Sequence, residues 1–260
     1  AIGRLAMGQS DVSGAQNIAI GTFSADALTS GGYNIAMGVN AFGAATTGAN
    51  NIALGQLAMG AAAVTGSDNV AIGRVSMDAL TSGNCNIALG TNALGAATTG
   101  SKNIGIGQFA LGCGTNTASD NIAIGDSAAA DITSGTCNVA IGYAALANST
   151  DGNDNIAIGK YALLASVDDG DSNIAIGQSA MGGGDVSGHN NIAMGDYSMD
   201  ALTSGLYNVA IGQNALGTLN TGCDNVAIGR SAGDSITSAT CVINIGYNVD
   251  NTVSNTTCIG

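Results

Sequence analysis

The chain has 260 residues, of which 41 are glycine and none is proline, and its formal net charge is −13. The lack of proline and of a three-residue glycine period excludes collagen, and the even spread of aliphatic residues excludes a disordered chain. The negative charge argues against nucleic acids and anionic membranes as partners, and no apolar run reaches the eighteen or so residues of a membrane span.

A short motif, N-[IV]-A-[ILM]-G, recurs along almost the whole sequence. Its copies are 17 or 18 residues apart until the last ones, where the spacing falls to 14. Internal periods of this length are typical of solenoid proteins. The full motif begins at Asn17, Asn34, Asn51, Asn69, Asn86, Asn103, Asn121, Asn138, Asn155, Asn173, Asn191, Asn208 and Asn225, and partial copies occupy 1–3, 242–246 and 256–260.

Each motif predicts a short strand followed by a bend. Apolar residues two apart, such as Ile18 and Ile20, lie on the same face of a strand, and we expect this pair to face the core of its coil. Asn17 and the alanine between the two isoleucines should then face outward. The glycine that closes every motif, here Gly21, predicts a backbone with positive φ. The same assignment applies to a later coil at Asn121, Ile122, Ile124 and Gly125.

The rest of each coil contains a small residue and a polar turn. Counting from the motif asparagine as position 1, position 8 is Ala or Ser in every regular coil, as at Ala41 and Ser76, which predicts a narrow core. Turns such as Thr81-Ser82-Gly83 lead the chain back to the next asparagine. Glycine bends recur too often for helices of normal length.

Taken together, these elements predict an all-β protein that folds as a parallel β-solenoid of about fifteen coils. Equivalent strands should pair about 4.8 Å apart, which gives a rod roughly 70 Å long. Motif asparagines should stack on one another and hydrogen-bond along the column. Residues 1–241 form the regular array. Residues 242–260 are interpreted as irregular terminal coils, which are a cap, a transition or the cut end of a longer array.

The repeated motif, followed after the glycine by a small residue at position 8, resembles the head repeat of YadA-like trimeric autotransporter adhesins. Similar arrays occur in the tail fibres of bacteriophages, and the resemblance covers essentially the whole chain. It implies a left-handed parallel β-roll and a side-by-side homotrimer. A flat column of Ala and Gly on the outer surface would also permit a second chain to approach closely.

Aspartate-rich turns are the candidate metal sites. Asp151 and Asp154 lie in one turn, and Asp168, Asp169 and Asp171 lie in the next. Hard carboxylate oxygens of this kind suit calcium, but the glycine-rich calcium motif of β-rolls and the EF-hand loop are both missing. Solvated turns are the simpler interpretation. No other cofactor is expected.

The cysteines and the histidine give little sign of catalytic chemistry. Six cysteines occur without a C-x-x-C pair, so a zinc site is not supported. Cys223 and Cys241 lie one coil apart in nearly matching positions and are a candidate disulfide, the alternative being two small half-buried residues. His189, the single histidine, lies in a turn without a neighbouring carboxylate. Aromatic and cationic residues, by contrast, recur just after the motif glycine, where they can contact glycans, a partner or a neighbouring chain.

The leading functional prediction is therefore a structural fibre segment rather than an enzyme. Such a rod would be extracellular, at a cell surface or on a virion, and would form homotrimers, with end-to-end or lateral self-assembly of these rods as a further possibility. Two alternatives remain. One is an adhesin head that binds a host receptor or glycan, and the other is an ice-binding solenoid that uses its columns of threonine and serine.

Overall fold

The computed structural model describes residues 1–8, 12–166 and 170–260. All regular elements in these residues are β-strands, and the described chain contains no helix. The chain divides into two compact units, Ala1–Ser134 and Gly135–Gly260. Each unit is a parallel β-solenoid, which confirms the predicted fold class.

The described residues of the first unit contain seven three-residue strands, one in each coil from Asn17 onward. Each strand pairs in parallel with the strand of the next coil, and equivalent residues face each other, as Ile18 faces Ile35. The strands are β1 (Ile18–Ile20), β2 (Ile35–Met37), β3 (Ile52–Leu54), β4 (Val70–Ile72), β5 (Ile87–Leu89), β6 (Ile104–Ile106) and β7 (Ile122–Ile124).

Outside residues 167–169, the second unit contains eight strands arranged in the same way. Consecutive strands again pair in parallel, including the last two, which are only fourteen residues apart at Ile243 and Thr257. The strands are β8 (Val139–Ile141), β9 (Ile156–Ile158), β10 (Ile174–Ile176), β11 (Ile192–Met194), β12 (Val209–Ile211), β13 (Val226–Ile228), β14 (Ile243–Ile245) and β15 (Thr257–Ile259).

The predicted direction of the strand side chains is wrong. In β7 the middle residue, Ala123, is fully buried, whereas Ile122 is half-exposed and Ile124 is 37 % exposed. The first coil shows the same pattern, with Ile18 49 % exposed beside the buried Ala19. The alanine column therefore lies inside each coil, and the branched aliphatic residues at positions 2 and 4 point outward.

The core of each coil is consequently narrow and built from small residues. Position 3 supplies alanine and position 8 supplies Ala or Ser, and both columns are fully buried, as at Ala88 and Ala93. In most coils position 9 adds one larger side chain, such as Met77 or Leu94, which is also fully buried. A large residue on one wall thus packs against small residues on the other, as dense packing requires.

The motif asparagines also lie inside, where they form a hydrogen-bonded column. Asn86 is 1 % exposed, and its Nδ2 donates to the Gly100 carbonyl on the opposite side of the same coil at 2.8 Å. Its Oδ1 accepts from the backbone N–H of Asn103 in the next coil at 2.9 Å. One carboxamide therefore closes its own coil and attaches it to the next. The predicted asparagine stacking is confirmed, although the column is internal.

The glycine at position 5 has the backbone conformation that the sequence predicts. Its φ lies between 127° and 141° in the coils from Gly3 to Gly246. A Cβ built on Gly90 would lie 2.5 Å from the carbonyl oxygen of Gly107 in the next coil. The glycine column therefore serves both the sharp bend and the close stacking of successive bends.

In the coils of β1 to β12, three further residues per coil have positive φ without being glycine. In the coil of β4 they are Val75, Met77 and Cys85, with φ of 60°, 48° and 59°. The left-handed region is unusual for a β-branched residue such as valine. It is tolerated here because the backbone N–H groups at these bends bond to neighbouring coils, as Val75 N–H does to Gln56 O at 2.9 Å.

Candidate interaction surface and ligand sites

The outward side chains at positions 2 and 4 form one surface in each unit, which we call the outward sheet face. In the first unit its fourteen side chains are all aliphatic, and they follow the strands in two parallel columns. Examples are Ile72 and Ile87, which are 40 % and 36 % exposed even though the coils above and below cover part of each side chain. In the second unit all but Thr257 of the sixteen corresponding residues are aliphatic.

The size of this face distinguishes it from ordinary surface. Seven strands at the usual spacing give an apolar strip about 30 Å long. Soluble monomers rarely expose contiguous apolar patches beyond a few hundred Å², and larger ones mark interaction sites. A flat parallel sheet is also normally covered on both faces. The outward sheet face is therefore the principal candidate interaction surface of each unit.

Aromatic and cationic side chains cluster at the bend after position 5, as the sequence predicts. In the second unit, the Tyr143 and Tyr161 rings meet edge to face with centroids 5.4 Å apart, and Lys160 Nζ lies 4.9 Å from the Tyr161 centroid. Arg230 lies 4.4 Å from the centroid of Tyr247. These cation–π contacts join neighbouring coils and contribute about 0.5–1 kcal/mol each at exposed sites.

Aspartates at position 10 cap the bend of the preceding coil. Asp78 Oδ1 accepts the Ala61 N–H at 2.9 Å. Burial raises the pKa of Asp78, and the hydrogen bonds from Ala61 and Gly60 offset part of that rise. Burial likewise raises the pKa of Asp200 against hydrogen bonds from two glycine amides. The pKa of Asp234 is also raised, first by burial and then by the nearby Asp250 charge.

These three raised pKa values predict that mild acid stabilises the fold. The folded chain binds protons at a pH where the unfolded aspartates have lost theirs, so the free energy of unfolding increases as the pH falls through the raised pKa values. We expect the melting temperature to rise between pH 7 and pH 4.5 in thermal melts followed by circular dichroism. The combined variant D78N/D200N/D234N should show a smaller rise.

The control variant D68N/D154N/D224N removes the same three charges from exposed turn positions. It should keep the wild-type pH dependence apart from the general effect of lower net charge. Equal slopes in the two triple variants would contradict a specific role of the three capping aspartates.

The structure does not gather the predicted calcium ligands into a cluster. Among residues 1–8, 12–166 and 170–260, no group of three or more His, Cys or Asp side chains is placed to hold a metal ion. Asp171 Oδ1 instead accepts the Asn153 N–H at 2.6 Å, and Asp151 accepts from the Thr150 hydroxyl at 3.3 Å. Asp154 is exposed. Asp168 and Asp169 lie outside the described residues, so the calcium site stays a prediction.

Cys223, Cys241 and His189 lie in the turns between strands, whereas Cys258 lies in β15. Cys241 donates its backbone N–H to the Cys223 carbonyl at 3.0 Å, so the two residues lie on adjacent coils. Both thiols are free in this structure, and their disulfide stays a prediction. His189 Nδ1 accepts the Asp171 N–H at 3.1 Å, which gives the imidazole a role in holding two coils together.

Threonine hydroxyls of the polar turns are used within the stack. Thr29 Oγ1 donates to the Thr46 carbonyl and Thr81 Oγ1 to the Thr98 carbonyl, both at 2.9 Å. Each of these hydroxyls therefore donates its hydrogen to the backbone of the next coil. The ice-binding interpretation stays a prediction to which this geometry adds no support.

The outward sheet face was missed from the sequence, although a signal for it was present. Position 3 is almost always alanine and position 8 is always small. A narrow, densely packed core has room only for small side chains at such positions. The variable choice among Ile, Leu, Val and Met at positions 2 and 4 instead suits a surface that needs only apolar character.

In the described residues, no helical segment has the length and hydrophobicity to cross a lipid bilayer.

Comparison with known proteins adds no family to this picture. No protein-family model, curated protein or solved structure matches the chain. Its function must therefore be inferred from the fold and its surfaces.

Proposed function

We propose that the chain is a segment of a structural fibre, in which three copies pack side by side as left-handed β-rolls through their outward sheet faces. The observation that carries the proposal is the aliphatic surface that runs along each unit, interrupted among the named strands only by Thr257. The resemblance of the repeat to YadA-like heads and phage fibres supports the threefold arrangement and a location outside the cell or on a virion. Catalysis has no part in this proposal.

The repeated hydrogen bonding supports a mechanical role. Within each unit, backbone ladders join every coil to the next, and the asparagine column adds hydrogen bonds from side chains inside the core. In such repeat proteins, each coil is stabilised by its neighbours rather than by itself. A stack held in this way resists bending and stretching, as a fibre spacer requires.

Association through the outward sheet face is energetically reasonable. Covering an aliphatic side chain that is already half-buried contributes roughly 1 kcal/mol. The fourteen side chains of the first unit would then contribute on the order of 10 kcal/mol, which is comparable with the 4–15 kcal/mol lost when chains associate. The face of the second unit adds a similar amount, so the full chain favours a stable complex.

The mass of the particle in solution tests this proposal. Light scattering should give about 75 kDa, three times the 25.1 kDa of one chain. The variant I87D/L89D places two carboxylates in the outward sheet face and should give single chains of 25.1 kDa. Their side chains already point to solvent, so the monomer should keep its β-sheet circular dichroism spectrum.

The variant N84D/T99D adds the same charge in exposed polar turns and serves as the control. It should remain trimeric. A single-chain mass for the wild type, or an undiminished 75 kDa particle for I87D/L89D, would refute the proposed interface.

A further inference from the structure

The two units carry the same small groove at equivalent positions of their coils. In the first unit, a groove of about 470 Å³ is lined by Phe23 and Asp26 from one coil and by Asn40 and Gly43 from the next. The aromatic ring and the asparagine occupy position 7 of their coils, and the carboxylate and the glycine occupy position 10. The groove lies beyond the glycine bend, away from the outward sheet face.

In the second unit, a groove of about 380 Å³ has the same four kinds of residue at the same positions. They are Tyr197, Asp200, Asn214 and Gly217. The Tyr197 ring is 40 % exposed, and its hydroxyl accepts a hydrogen bond from Gln178 Nε2 at 2.7 Å, which restrains the ring. Both volumes are in the range of small-molecule sites.

Glycine keeps the floor of both grooves open. A Cβ on Gly43 would lie 3.1 Å from the Asn40 carbonyl oxygen and 3.3 Å from that of Phe23. A Cβ on Gly217 would lie 2.7 Å from Asp234 Oδ1. A larger residue at either glycine would therefore press on the carbonyl groups or the carboxylate that border the groove.

The polar groups of the first groove have unused hydrogen-bonding capacity. Asp26 is only 7 % exposed, and within the described residues its Oδ1 has no hydrogen-bond partner. That oxygen is closed to solvent, so a ligand hydroxyl can reach only the other carboxylate oxygen, Oδ2. The half-exposed Asn40 adds a carboxamide that can both donate and accept.

We propose that each groove binds one pyranose residue of a glycan. The aromatic ring offers an apolar face to the C–H face of the sugar, which for Phe23 is the face opposite Arg4, whose guanidinium carbon lies 5.8 Å from the ring centroid. The carboxylate accepts from sugar hydroxyls, and the carboxamide both donates and accepts. A guanidinium or ammonium ligand carries only donors and would leave the donors of Asn40 and Asn214 unmatched, so a polyhydroxylated ligand fits better.

A third copy of the pattern lacks the ring and is an internal control. Val75 and Asp78 of one coil precede Asn92 and Gly95 of the next, so valine stands where the two grooves have an aromatic residue. The sequence around it, from Ser76 to Gly83, closely matches the stretch after Tyr197. We expect this copy to bind no sugar.

Saturation-transfer NMR on the full chain tests the proposal. The probes are the methyl glycosides of glucose, galactose, mannose and N-acetylglucosamine, with arginine ethyl ester as a cationic probe. At least one glycoside should receive saturation on its ring protons, and F23A/Y197A should reduce that signal at least fivefold. V75A should leave it unchanged, and F23Y should retain it because the second groove already uses tyrosine.

The variant N40A/N214A removes the two carboxamides and leaves both rings in place, and it should also weaken the signal. It therefore supplies a second test in case F23A/Y197A folds poorly. Absence of transfer to all four glycosides, transfer only to the arginine ester, or an undiminished signal in both double variants would overturn the proposal. Light scattering on the same samples keeps this result separate from trimer formation, which the groove variants should not change.

Discussion

Replacing Gly90 with alanine is expected to lower the free energy of unfolding by about 3–5 kcal/mol, combining the cost of a glycine-only backbone conformation with that of overpacking. Gly90 has a φ of 139°. Its new Cβ would also lie 2.5 Å and 2.7 Å from the carbonyl oxygen and carbon of Gly107. Because backbone rather than a flexible side chain is in the way, neighbouring coils would have to move apart.

Gly105→Ala is the matched control for this prediction. Gly105 occupies the middle of β6, where the adjacent strands have the buried alanines Ala88 and Ala123. The added methyl would lie 3.0 Å from the Ala110 carbonyl and 3.4 Å from Leu94 Cγ, in a column where alanine is the rule. Urea unfolding should show G105A to be neutral or stabilising by about 0.5–1 kcal/mol. Equal losses in both variants would contradict the assigned roles of the two glycines.

Replacing Asn86 with alanine is expected to cost about 3 kcal/mol or more, because two buried backbone groups lose their partners. The Gly100 carbonyl loses its donor at 2.8 Å, and the Asn103 N–H loses its acceptor at 2.9 Å. The same change also opens a small cavity beside the alanine column. Unfolding in urea followed by circular dichroism measures the loss.

Asn84→Ala tests whether that cost comes from burial. Asn84 makes comparable hydrogen bonds, to the Ser67 N–H at 2.8 Å and the Ser82 carbonyl at 3.0 Å, but it is exposed. Water can replace these bonds, so the loss should stay below about 1 kcal/mol. If N84A were as damaging as N86A, the internal asparagine column would not have the special role assigned to it.

The repeat made the coil path predictable from sequence. The strand at each motif, the parallel pairing of equivalent residues, the glycine bend and the stacked asparagines all follow from a 17–18-residue period with a period-two apolar pair. Gly21 and its equivalents were identified correctly because an unvarying glycine has few physical explanations other than positive φ or close packing. These features depend on local geometry, which a repeat makes visible many times.

The choice of buried face could not be made by hydropathy alone. Ile122 and Ile124 are more hydrophobic than Ala123, and burying the larger residues is the usual outcome for a single chain. The structure buries Ala123 because the coil is too narrow for two branched residues on that wall. An interface with another chain would account for the outward isoleucines, and one copy of a sequence contains no direct sign of it.

The candidate grooves could not be predicted from the sequence for a different reason. Phe23 and Asn40 belong to different coils and come together only when the coils stack. Both also have positive φ, a backbone conformation that a sequence pattern would not predict for phenylalanine. The sequence did indicate that aromatic residues cluster after the bend. It did not indicate that a ring, a carboxylate and a carboxamide would surround one open space.

A density map of the assembled particle from electron cryomicroscopy is the most direct test of the central claim, which is that the strand side chains at positions 2 and 4 point outward and form the contact between three chains. The map should show three chains with Ile87 and Leu89 meeting their counterparts across the axis, while Ala88 points into its own coil. A map with the isoleucines inside each coil, or with single chains whose aliphatic columns face solvent, would contradict it.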